Sequence, residues 1–230
     1  MRWCSGLKTP DELLKDVSLS DSDKAIVEDL VSRHPEIADL HESLCRLLPE
    51  LDEVLITVLL VDNPGLKITE HRLLLYGLII RAKGLLRATL RETIRDNKPA
   101  VTTLLRAQCE ILAAVCYVEK FPDKVRNILS GTKRKGNKLE APNILTQVGH
   151  ANRKYRGLAR DYDQLSNLSH PTPISHTGSV RIVDEKKRQI EFATEPFLRP
   201  GEAETAVRLI HAWTNWFLET AIQVHEVFTK

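Results

Sequence analysis

Two groups of residues in this 230-residue chain have the types and spacing to do chemistry. The first is Arg106 and Glu110. From Cys109 to Val118, Glu110 is the only charged residue. An ionised carboxylate on so apolar a helix is costly unless paired. Arg106, one turn earlier on the same face, is its natural partner. A guanidinium stays charged and holds two phosphate oxygens at once. The second group is Tyr162, Ser166 and His170, spaced to share one helical face. His170 precedes Pro171, and the residue before a proline leaves the α conformation, so His170 is expected at a helix exit. A helix C-terminus favours its charged form near neutral pH.

These residues suit metal-free phosphodiester cleavage. His170 would be the acid/base and Arg106 the phosphate clamp. Tyr162 and Ser166 would orient phosphate or imidazole, and Glu110 would orient Arg106. The plainer reading is that Arg106 and Glu110 are an internal ion pair that orders the core, and that His170 caps its helix end. On that reading Glu110→Ala should cost several kcal/mol, because it strands a guanidinium in apolar surroundings.

Other chemistries find little support. His211 and His225 are four turns apart on one helix and cannot share a metal. No Glu-x-x-His pair suggests a di-iron bundle. The chain lacks a Walker loop, a Gly-x-Gly-x-x-Gly and a Gly-x-Ser-x-Gly. Neither a metal nor an organic cofactor is expected.

Arg-x3-Glu at Arg106 and Glu110 is followed by Tyr-x2-Leu-Ser-x3-His, from Tyr162 through Leu165 and Ser166 to His170. With a hairpin and a Trp-containing last helix, this resembles a bacterial family of helical proteins of unknown function. That family is distantly similar to HEPN-type bundles. The resemblance covers residues 67–228. HEPN ribonucleases are metal-independent and often dimeric, and use Arg-x4–6-His on the last turn of a helix. Here nine residues separate Arg160 from His170, so Arg106 on a neighbouring helix must supply the cation. The resemblance implies an RNA-interacting module or ribonuclease of defence or stress type, with a homodimer expected. The alternatives are a non-enzymatic helical interaction protein and a binder of a small anionic ligand between helices.

The elements that must position these groups are nearly all helical. Helical spacing is read at Asp11–Val17, Asp23–Arg33 and Pro35–Leu55, with Pro49 expected to break or kink the third. Asn63-Pro64-Gly65 is a strong stop. A long helix follows Thr69 to about Asn97, and another opens at Pro99 and ends near Phe121. Short helices are expected at Asp123–Leu129 and Pro142–Gly149, then a continuous one over Ala151–Ser169. Alternation at Val180, Ile182, Ile190 and Phe192 predicts a hairpin over 179–193. The last helix runs Glu202–Phe228, with Val207, Ile210, Trp213, Phe217 and Val224 on a core stripe. Gly77 and Gly84, seven apart, are expected to let helices pack closely. The class is therefore all-α, a helical bundle with one small β-hairpin inserted before the last helix.

Charge divides the chain. Residues 1–66 hold 6 Lys/Arg against 14 Asp/Glu, a net of −8, and residues 67–230 hold 27 against 17, a net of +10. This suggests an acidic N-terminal region beside a basic bundle that meets RNA or another polyanion. Lys83, Arg87, Arg91 and Arg95 recur every four residues and form one candidate nucleic-acid stripe. Lys133, Arg134 and Lys135 lie in a second basic cluster, and Arg153, Lys154, Arg156 and Arg160 form a third. Ordinary solvated helix faces are the plain alternative. The four cysteines follow no zinc spacing, and Cys109 and Cys116 lie roughly 10 Å apart along a helix, too far for a disulfide. The longest apolar run, Val54–Val61, is too short for a bilayer. No secretory signal stands at the N-terminus. A cytoplasmic protein without a membrane partner is expected.

Overall fold

Helix starts are specified by local side chains. Thr9 and Glu12 form a reciprocal capping box for α1 (Pro10–Lys15). The Ser20 hydroxyl accepts the Asp23 N–H and opens α2 (Asp21–Arg33). A 3-10 turn, Pro35–Leu40, leads into α3 (His41–Ile56), which continues as a π-turn over Thr57–Val61. Next comes α4 (Glu70–Ile94). Asn97 accepts the Ala100 N–H to start α5 (Lys98–Lys120), with Pro99 in its first turn. The shorter α6 (Val125–Ser130) follows. Asn143 caps α7 (Ile144–Lys154) through the Thr146 N–H. The chain closes with α8 (Leu158–Ser169) and α9 (Glu202–Thr229). The computed structural model describes residues 9–61, 68–130, 134–135, 138–139, 143–169, 180–184, 189–192, 198–199 and 201–229.

Helix α5 is the centre, with α4, α7, α8 and α9 packed around it. It is long and apolar enough to cross a membrane, but 72% of its apolar window is buried in the bundle. Such a helix is core when its apolar surface meets neighbours on most sides. Trp213 and Phe217 of α9 are 1% and 0% exposed, and they join Leu75, Ile79, Leu86 and Leu90 of α4 in one apolar cluster. Val27 and Leu30 of α2 and Leu44, Leu47, Leu48 and Leu51 of α3 belong to the same cluster. Helices α2 and α3 of the acidic region therefore share one core with the basic bundle.

Two local expectations are corrected. Pro49 lies inside α3 without ending it. A proline removes one helical hydrogen bond, and here Leu44, Leu47, Leu48 and Leu51 are all buried around it and hold the helix. The helix expected over Ala151–Ser169 is two helices. Gly157 takes φ +97°, a left-handed conformation that ends a helix, and Asn152 Oδ1 accepts the N–H groups of Gly157 and Ala159. Of the hairpin expected over 179–193, only backbone at Val180–Asp184 and Gln189–Phe192 is described, running antiparallel with a register shift between Ile182 and Asp184. The structure supports the all-α class and not the hairpin as part of the packed fold.

Candidate functional site

Tyr162 of the second group meets the first group where α8 packs on α5. Arg106 Nε lies 3.3 Å from Glu110 Oε1 along α5. From α8, the Tyr162 hydroxyl accepts from Arg106 Nη2 at 3.4 Å and donates to Glu110 Oε1 at 3.4 Å. The Arg106 guanidinium carbon also stands 5.5 Å from the Tyr162 ring centroid, within cation–π range. Tyr162 is buried, whereas the Arg106 and Glu110 side chains are 25% and 32% exposed. The pair is therefore open at one side and not sealed in the core. Burial alone would lower the Arg106 pKa, but the Tyr162 hydroxyl and the Glu110 carboxylate outweigh it and hold it above its ordinary value.

Ser166 is one turn beyond Tyr162 on α8. Its hydroxyl is shielded from solvent and has no hydrogen-bond partner among the described residues. His170 lies outside the described residues. Three of the five expected catalytic residues are thus in mutual contact, and Ser166 follows on the same helix.

Sequence reasoning passed over Asp161. It stands 3.3 Å from Arg160, and with Glu110 it contributes to the raised pKa of Cys109. Burial is the larger cause, and together they push the Cys109 thiol up to about 12. Arg160 and Asp161 precede Tyr162 on α8, and Arg160, two residues away, points to the other side of that helix. The neighbouring Arg160-Asp161-Tyr162 triplet was the available signal. A cleft of about 410 Å³ opens beside it, with Val101, Leu105, Leu165 and Leu168 in its wall and Arg160 and Asp161 at the same opening. Arg106 and Glu110 do not line it.

The candidate nucleic-acid stripe on α4 divides. Lys83 forms an ion pair with Asp52 of α3. Arg87 donates from Nε to Asp23 Oδ1 of α2 at 2.7 Å, with a second bond from Nη2. Asp23 is 2% exposed. Burial would raise its pKa, but hydrogen bonds from Arg87 and Ser20, and the charges of Arg87 and Lys83, hold it below the ordinary value. Arg95 pairs with Glu92 at 2.8 Å. Arg91 is exposed. The stripe's first two cations are therefore fasteners for the acidic N-terminal helices. Only the backbone of Arg134 and Lys135 is described, and Lys133 lies outside the described residues.

The third basic cluster is open. Arg153, Arg156 and Arg160 are exposed along α7 and α8. Lys154 is engaged by Glu119 at 2.8 Å and Gln223 at 2.7 Å. A groove of about 330 Å³ beside it is lined by Lys120, His150 and Arg153.

His211 is hydrogen-bonded between α3 and α9. Ser43 Oγ of α3 lies 2.6 Å from its Nε2, and Asn215 Nδ2 points at the same nitrogen at 3.2 Å. Burial, then Arg46 and Arg208, lower its pKa, which favours neutral imidazole with Nε2 as acceptor. Among the described residues no three His, Cys, Asp or Glu side chains group to hold a metal. No family model, curated protein or solved structure is significantly similar to this chain.

Proposed function

We propose that the protein is a HEPN-like, cytoplasmic helical module that binds RNA or another polyanion on the α5–α8 face. The observation that carries this reading is the meeting of Arg106, Tyr162 and Glu110 from two helices at a half-open surface. A phosphate there takes Arg106 as its charge partner, and exposed Arg153, Arg156 and Arg160 on α7, α8 and the turn between them offer further cations. Metal-independent cleavage on this face would need His170, which lies outside the described residues, as its acid/base. His170 takes the ribose 2′-hydroxyl proton, the oxygen attacks phosphorus, and the 5′-oxygen leaves with a proton, giving a cyclic phosphate.

A second reading is a non-enzymatic interaction protein. It is favoured by the engagement of Arg106 with Glu110 and Tyr162, and by the pairing of Lys83 and Arg87 within the chain. The test is RNA binding and cleavage by the full chain in EDTA across a salt series. Binding that weakens steeply with salt and falls in Arg153→Ala with Arg156→Ala supports the polyanion reading. Cleavage that vanishes in His170→Ala, with the fold retained, supports the ribonuclease. Binding without cleavage leaves a non-catalytic module, and neither binding nor cleavage rejects the polyanion reading.

A further inference from the structure

The cleft of about 410 Å³ lies between α5, α8 and α9, and the Arg106–Glu110 pair has no part in it. Its walls are apolar, with Val101 and Leu105 from α5, Leu165 and Leu168 from α8, and Ala206 and Leu209 from α9. Small-molecule sites between helices have this size and this make-up, an apolar slot with a few polar groups. The two ends of the slot differ. At one, Lys98 Nζ donates to both carboxylate oxygens of Glu202, at 2.7 and 3.0 Å, and Glu202 also accepts the Arg199 N–H at 2.7 Å. That end is closed on itself. The Thr102 and Thr205 hydroxyls in the lining donate to carbonyls of their own helices, at 2.9 and 2.8 Å. At the other end Arg160 directs both Nε and Nη2 to Oδ1 of Asp161, each at the long distance of 3.3 Å. Oδ2 of Asp161 accepts no hydrogen bond from the described residues. The Arg160 side chain is 75% exposed and that of Asp161 only 22%. The charge held at the wall is therefore the carboxylate, and a charge removed from water acts more strongly than one in it.

We propose that this cleft binds a small molecule with a compact apolar body and one protonated amine, the body lying between the three helices and the ammonium on Asp161. The inference does not depend on the RNA reading. A ligand body that fills the slot takes water from the Asp161 carboxylate, which is costly unless a donor replaces it. An ammonium does so with a charge-assisted bond to Oδ2, while Oδ1 keeps Arg160. A hydroxyl replaces the water with a weaker bond. A ligand carboxylate meets Arg160 out in solvent and is repelled by Asp161 beside it.

Titration of the full chain at pH 7 with phenethylamine, phenethyl alcohol and hydrocinnamate, followed by ligand-observed NMR, tests this, because the three share one apolar body and differ in charge. Saturable binding is expected, with the amine about three- to tenfold tighter than the other two. Asp161→Asn should remove that advantage and leave the alcohol bound as before. Thr205 is exposed on α9, so Thr205→Trp should fill the slot without disturbing the core and abolish binding of all three. Exposed Gln164 on α8 gives the same block from the opposite wall as Gln164→Trp, in case the first variant melts early. Failure of all three probes to saturate, hydrocinnamate as the tightest, an amine preference that survives Asp161→Asn, or binding unchanged in the folded tryptophan variants overturns the proposal.

Discussion

Replacing Asp23 by Ala asks how firmly α2 is fastened to α4 by one buried charge. The Asp23 carboxylate accepts two hydrogen bonds from Arg87, one at 2.7 Å, and a third from the Ser20 hydroxyl at 2.8 Å. Removing one partner of a fully buried ion pair costs about 3–5 kcal/mol. The Arg87 side chain is 33% exposed, so the stranded guanidinium regains part of its hydration, and the expected cost falls to about 2–3 kcal/mol. The carboxylate pKa is held below its ordinary 3.8, so the unfolded chain binds this proton more readily than the folded one. The stabilisation is complete above the unfolded value and disappears as pH falls through the lowered folded value. Urea unfolding at pH 7 should therefore show the full loss with an unchanged m-value, and the gap between wild type and variant should close in strong acid. Asp23→Asn should fall between the two, because it keeps the shape and loses the charge. A cycle with Arg87→Met should return most of the loss as coupling. A loss under about 0.5 kcal/mol at pH 7 refutes the reasoning, because that is the size of an ordinary surface change. A gap undiminished in acid refutes it equally.

Glu110→Ala should cost about 1 kcal/mol in urea unfolding, not the several expected for a sealed pair, because the Arg106 and Glu110 side chains are 25% and 32% exposed. Gly157→Ala should lower stability by about 1–2 kcal/mol, since φ +97° strains any L side chain although the nearest atom, on Arg160, lies 3.6 Å from the new Cβ. Burial first, with nearby carboxylates, holds the Cys109 and Cys116 thiols up at about 12, so both should resist a thiol reagent at pH 8 and react only on unfolding. Fast labelling of either in the native protein, read by peptide mass, would count against that burial.

The long helices were legible because their apolar residues repeat at 3.6 and Pro99 marks the start of α5, whereas its Asn97 cap emerged only in the structure. The Arg106–Glu110 pair and its approach to Tyr162 were legible for the same reason, since spacing places each on a defined face. The break at Gly157 was not. A lone glycine in a polar stretch with no proline has no local mark of its sign of φ, and the Asn152 hydrogen bonds that secure it are read only in three dimensions. The basic stripe was misleading for a different reason. Lys83 and Arg87 recur like solvated residues, but each has a carboxylate 31 or 64 positions away in the chain. Charge counting reports the sign of a region and not which face it turns to its neighbour. The exposed Leu73, Tyr76 and Ile80 were hidden likewise, because an apolar residue at helical spacing reads as core wherever its side points. Gly77 and Gly84 do not let helices pack closely, since a Cβ built on either meets nothing within 4 Å.

The core shared by the two ends of the chain bears on how the protein emerges during synthesis. Ser43 meets His211 across 168 positions, and Asp39 meets Arg208 across 169. The first helices leave the ribosome with their apolar stripes uncovered and wait for the last helix. At about 5–20 residues per second, that wait is on the order of 10 s or longer. The net −8 of the first 66 residues makes two such exposed segments repel each other during this interval.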